Sequence, residues 1–161
     1  MTVKEYNKTV VLFSDNVYRF ILKNIKNVEK AEDIVQDTYE KLWKRHSDVD
    51  FEKAKSYLFT SAYRKMIDII RREKKQGVWS EVAVHQLSHQ GHYSDLKEIL
   101  SQALDRLSEN QKYVVMLRDY EGYDYEEIGE ITGLSMSQVK VYIFRARKKL
   151  KEYLVKMDLV I

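Results

Sequence analysis

Proline is absent from this 161-residue chain, and glycine occurs only five times. Sheet-rich folds place both residues at their corners, so a chain this poor in them has few ways to connect strands tightly. Apolar residues instead recur at threes and fours along almost the whole length, the period of an amphipathic helix. An all-α protein is expected. Length permits one domain or two small ones. Cysteine is also absent, which excludes a disulfide framework, a thiolate metal site and a cysteine nucleophile, and suits a reducing cytosol. No apolar run approaches the roughly 18 residues of a membrane span, and the opening MTVKEYNKTVVLF lacks a signal-peptide pattern. The expectation is a soluble cytoplasmic protein with no membrane insertion.

The spacing predicts a first helix over Val3–Asn24, with Val10, Phe13, Val17, Phe20 and Ile21 in register. Asn27 can cap a second helix, Val28–Arg45, whose apolar face would be Ala31, Ile34, Val35, Tyr39, Leu42 and Trp43. Its other face carries Glu29, Glu32, Asp33, Gln36, Asp37 and Glu40. Acids near a helix N-terminus complement the dipole, which accounts for Glu29 and Glu32. Asp37 and Glu40 lie further in, so an acidic partner-binding face stands beside that explanation. After a polar loop, His46–Asp50, a third helix is predicted over Phe51–Lys75. In it Tyr57, Phe59 and Tyr63 alternate with Arg64, Lys65, Arg71, Arg72, Lys74 and Lys75. Rings beside cations can stack bases while holding a phosphate backbone. Rings packed in a core with a solvated basic end would give the same pattern. Phe59 fits the core; Tyr57 and Tyr63 fit either.

Gln76–Tyr93 has two glycines, three histidines and poor periodicity, and reads as a linker between units spanning residues 1–75 and 94–161. In the second unit, Leu96, Ile99, Leu100, Ala103, Leu104 and Leu107 form one stripe. Ser108 with Gln111 opens a helix running to Tyr120, and Gly122 ends it. Asp124 with Glu127 caps a short helix to Thr132, Gly133 breaks it, and Ser135 with Gln138 caps a long final helix. Val139, Ile143, Ala146, Leu150 and Leu154 make that helix's apolar stripe, while Lys140, Val141, Phe144, Arg145, Arg147 and Lys148 lie on or beside the other face. From Ser135 to Lys156 there are seven Lys or Arg against one Glu, whereas Asp119–Glu130 holds six acids and no base. A helix, a glycine turn and a basic second helix form the helix-turn-helix pattern, whose second helix enters the major groove. An ordinary helical corner with a lysine-rich solvated helix would share the spacing but does not call for this segregation of charge.

Two helical units, an acidic helix in the first and a basic helix-turn-helix closing the second, resemble the extracytoplasmic-function (ECF) sigma factors of the sigma-70 family. AEDIVQDTYEKLWKR (Ala31–Arg45) is similar to that family's polymerase-binding helix, and KSYLFTSAYRKMIDIIRR (Lys55–Arg72) to the helix that meets the minus-ten element. LDRLSENQKYVVMLRDYEGYDYEEIGEITGLSMSQVKVYIFRARKKL is similar to the domain that reads the minus-thirty-five element. The resemblance implies a factor that lends promoter specificity to core RNA polymerase and itself catalyses nothing, with no cofactor. It implies partners as well: the beta-prime clamp helices and beta flap of the polymerase, promoter DNA and a separate anti-sigma factor. It places Asp33, Gln36, Asp37, Tyr39, Glu40 and Trp43 against the polymerase. Tyr57, Tyr63, Arg64, Arg71 and Arg72, with the loop His46–Ala54, would meet the opened minus-ten strand, and Lys74 and Lys75 would hold phosphates nearby. Ser137, Gln138, Lys140, Val141, Phe144, Arg145 and Lys148 would meet the minus-thirty-five element, with Arg147, Lys148 and Lys149 serving the DNA backbone. Tyr63-Arg64 stands where Arg-Asn is frequent in the family, and Val141-Tyr142 where Ser and Arg are frequent, so base preferences are expected to differ.

Three rivals make different predictions. A stand-alone helix-turn-helix regulator would bind its site without polymerase. A helical enzyme or metal protein would use His85, His89 and His92 with Glu81 and carry stoichiometric metal. A protein-binding adaptor would tolerate Lys140→Ala and Arg145→Ala.

Overall fold

The computed structural model describes residues 1–77 and 95–157, and every described element is helical. The chain divides into two compact units. In the first, α1 (Val3–Ile25), α2 (Val28–Lys44) and α3 (Ala54–Lys75) pack pairwise around one core. Each start has a local cause. Thr2 caps α1 in a reciprocal box with Glu5, and Asn27 accepts from the Lys30 N–H at 2.9 Å to start α2. The third helix begins later than the spacing predicts, because Phe51–Lys53 form a single 3₁₀ turn before Ala54.

Val17, Phe20, Ile21, Ile34, Leu42, Leu58, Phe59 and Met66 fill that core, and Phe20 meets Phe59 edge-on at 5.8 Å between ring centroids. Phe59 is thus the core residue its spacing indicated. Two residues depart from the predicted faces, and a third is settled by its burial. Val10 is exposed, and so is Trp43, with 44% of its surface accessible. Tyr63, one of the rings open to either role, is buried at 7%.

Tyr39 is buried between α1 and α2, where its hydroxyl donates to the Thr9 carbonyl at 2.8 Å. Burial pushes its phenol from the ordinary 10.0 up to about 12. An unfolded chain would ionise near the ordinary value, so this contribution to stability is complete below that pH and is lost as pH rises toward the folded value. Tyr39→Phe should lose about 1 kcal/mol at neutral pH through the missing hydrogen bond. It should also flatten the alkaline fall in urea midpoint that wild type shows.

The second unit holds α4 (Asp95–Asp105), α5 (Glu109–Val115), most of α6 (Tyr125–Thr132) and α7 (Met136–Lys156). Its buried side chains include Leu104, Tyr113, Val114, Leu117, Ile128, Val139 and Ile143. The helix expected to run from Ser108 to Tyr120 is α-helical only to Val115 and finishes as a wider π turn, Met116–Tyr120. Leu96, expected in the stripe of α4, is exposed. Among the described residues no helix is long and apolar enough to cross a membrane. The histidines His85, His89 and His92, with Glu81, lie outside the described residues, as does most of the expected linker.

Candidate nucleic-acid and partner interfaces

The helix-turn-helix is built by two capping boxes and a glycine between them. Asp124 Oδ1 accepts from Glu127 N at 2.8 Å, and the Glu127 carboxylate accepts from Asp124 N at 3.1 Å. Gly133 adopts φ 79°, a left-handed conformation that only glycine enters without strain, and ends α6. A Cβ added to Gly129 would lie 3.0 Å from the Leu134 carbonyl, so a larger residue there would press on the turn. Ser135 and Gln138 form the second box, with Gln138 Oε1 accepting from Ser135 N at 2.9 Å. Gln138, expected at DNA, therefore also serves as the start of α7.

Val139, Ile143 and Ala146 bury one side of α7, which turns the opposite side outward. There Phe144 keeps 70% and Val141 44% of their surfaces exposed, beside exposed Ser137, Lys140, Arg145 and Lys148. Lys140, Val141, Phe144, Arg145 and Lys148 line one open groove with Tyr125 of α6. Sequence reasoning missed Tyr125. Its ring sits 4.9 Å from the Arg118 guanidinium and 5.9 Å from Lys140 Nζ, which holds two cations at the mouth of the groove. The available signal was an aromatic at the first helical position after a cap. Arg147, expected at the DNA backbone, also lines this groove but is engaged within the protein. It pairs with Asp119 through two contacts of 2.5 and 3.2 Å, tying α7 to the π turn, and that pairing holds its proton more firmly than usual.

On α2, Asp33, Gln36 and Glu40 are exposed and Asp37 is partly so, its Oδ2 3.9 Å from Lys65 Nζ of α3. Glu29, Asp33, Gln36, Glu40 and Trp43 are separated alternately by four and three residues and are all exposed. They form one straight seam of the kind a second helix packs along. Tyr39 is not brought to this seam, because its ring and hydroxyl face α1. On α3, Arg64, Arg71 and Arg72 are exposed, and Arg71 pairs with Asp68 at 3.2 Å. Tyr57 is half-buried, and the packing of Tyr63 leaves it no free face for stacking a base. Among the described residues no cluster of His, Asp and Glu is placed to hold a metal ion.

The chain matches the family model of Sigma-70 region 2 over residues 10–76 and that of Sigma-70, region 4, over residues 97–150. It is 35% identical over 145 residues to the RNA polymerase sigma factor SigV of Bacillus subtilis, covering 88% of this chain and 86% of the relative. It is 29% identical over 156 residues to the ECF RNA polymerase sigma factor SigM of the same organism, covering 94% of each. Its structure resembles that of the sigma factor RpoE of Bartonella quintana, solved with the anti-sigma factor NepR. That likeness has a TM-score of 0.77 and 28% identity over 94% of this chain and 98% of the other. The chain belongs to the sigma-70 family, in its extracytoplasmic-function branch. It is a transcription-initiation factor of the sigma type and not a stand-alone regulator, and the family is non-enzymatic.

Proposed function

We propose that the chain directs core RNA polymerase to promoters by presenting two helix faces of opposite charge, the acidic seam of α2 and the basic groove of α7. That opposition, on faces turned outward by well-packed helices, is the observation that carries the proposal. Asp33, Gln36, Asp37 and Glu40 suit a basic helical surface on the polymerase, the beta-prime clamp helices, with Trp43 at the end of the seam. The second unit has the beta flap as its polymerase contact. Residues 1–75 act as region 2, 76–93 as linker and 94–161 as region 4.

At the promoter, Lys140 and Arg145 pair with base edges in the major groove, and Val141 and Phe144 pack against thymine methyls. Ser137 and Gln138 lie at the groove-facing start of the same helix. Lys148 and Lys149 hold phosphates, which adds affinity without sequence information. Arg64, Arg71, Arg72 and the half-buried Tyr57 meet the opened minus-ten strand. Tyr63 supports them from the core. The chain itself performs no catalysis; the polymerase makes the bonds. It works in the cytoplasm, and an anti-sigma partner holds it in check, as RpoE is bound by NepR.

Holoenzyme reconstituted with this chain should select duplexes from a randomised pool. Against those sites, Lys140→Ala or Arg145→Ala should cost about 1–3 kcal/mol and relax the preference at one position. Lys148→Ala should weaken all duplexes alike and lower the slope of log K against log salt by about 0.9. Unchanged selectivity in all three variants would count against α7 as the reading helix.

A further inference from the structure

An exposed indole is usually mobile, yet Trp43 is held from both sides. The His46 ring stacks on it with centroids 4.5 Å apart and planes 14° from parallel. Nδ1 of His46 lies 2.6 Å from the Trp43 carbonyl, which fixes the imidazole plane against the indole. From α1, the Tyr6 ring meets the indole edge-on at 5.0 Å, and its hydroxyl donates to the Tyr39 carbonyl at 3.1 Å, one turn earlier on α2. Three rings from α1, α2 and the loop after it thus form one cluster, and 44% of Trp43 still faces outward. The other members of the seam, by contrast, are exposed polar side chains.

We propose that Tyr6 and His46 are positioning residues that hold Trp43 rigid as the aromatic anchor of the polymerase-docking face. The inference rests on the docking proposed for α2 and adds what makes that face tight. Interfaces concentrate binding energy in a few aromatic anchors surrounded by polar contacts of small individual effect. An anchor ordered before binding avoids the entropy cost of ordering it in the complex. Trp43 closes a seam whose other members are polar, so it alone can enter an apolar pocket on the partner. The charged residues set orientation and encounter, and Trp43 sets the dissociation rate.

Binding to core polymerase without DNA tests this, because His46 also belongs to the loop expected at the minus-ten strand. In a Trp79→Phe background, Trp43 becomes the sole tryptophan and its anisotropy decay reports its mobility. His46→Ala and Tyr6→Leu should each mobilise the indole and weaken binding roughly three- to tenfold, the equivalent of ordering one side chain. Trp43→Ala should weaken it about thirtyfold, and His46→Ala should then add nothing. His46→Phe and Tyr6→Phe, which keep the rings, should stay within about twofold of wild type. A mobile indole with unchanged affinity would overturn the proposal, as would a His46→Ala loss that persists without Trp43. If Trp43→Ala is harmless while Asp33→Arg/Asp37→Arg abolishes binding, the anchor fails and the docking face stands. If both are harmless, the docking reading fails as well. Thermal melts of each variant exclude misfolding, and His46→Ala, in a surface loop, tests the idea should Tyr6→Leu not fold.

Discussion

An Asp33→Arg/Asp37→Arg variant is expected to lose co-elution with core RNA polymerase on a sizing column while keeping the wild-type melting profile. Both carboxylates belong to the outward side of α2, and neither contributes to the core. Among the described residues, the ion pair at stake is the 3.9 Å approach of Asp37 to Lys65, between partly exposed side chains. Such pairs contribute roughly 0–1 kcal/mol, so folding should scarcely change. Docking is another matter. Each carboxylate that pairs with a partner cation in the desolvated interface is worth about 2–5 kcal/mol when removed, and reversal adds like-charge repulsion. Two such positions exceed what a micromolar or even nanomolar complex can lose and remain intact on a column, since each 1.4 kcal/mol is about tenfold in affinity. Co-elution of the variant at wild-type stoichiometry would remove α2 from the interface.

Phe59→Ala should act on the first unit alone. The ring is fully buried and packs on Phe20, so truncation loses apolar burial and leaves a cavity that two rigid helices close poorly. Such a change costs about 3–5 kcal/mol, a large share of the 5–15 kcal/mol that holds a small domain folded. For a unit of this size the unfolding transition should fall by at least about 12 °C. The second unit has its own core in Leu117, Ile128 and Ile143, so its transition should stay in place. Calorimetry should show one transition displaced and one fixed. A common shift of both would mean that the units do not melt separately.

Helix starts were legible because capping is local. The hydrogen bonds at Asn27, Ser108, Asp124 and Ser135 join residues three apart in sequence; Asn27 is legible as a cap, and the other three are legible with their partners. The outward face of α7 was legible for the same reason, since Val139, Ile143 and Ala146 fix which side is buried. Residues at the border of a stripe were not. Trp43 lies one position from Leu42, at the border between the apolar stripe and the exposed seam, and in the fold its indole rests against Tyr6 and His46 and not in the core. Tyr63 follows Ala62, and the pattern of rings and cations around it suited a core as well as a nucleic-acid face. Contacts distant in sequence carried no signal at all. Arg147 reads as one more cation of a basic helix until folding brings Asp119 beside it, 28 residues away. The π turn after Val115 was equally hidden, because its wider winding keeps the composition of a helix end.

The most direct test of sigma function is transcription by core polymerase on fragmented genomic DNA, with and without this chain, followed by mapping of the RNA 5′ ends. The account predicts discrete new start sites that appear only when the chain is added. Two sequence blocks at fixed spacing should lie upstream of each, and Lys140→Ala should alter the distal block alone. Start sites identical to those of core polymerase by itself, from protein that binds DNA without it, would contradict the account.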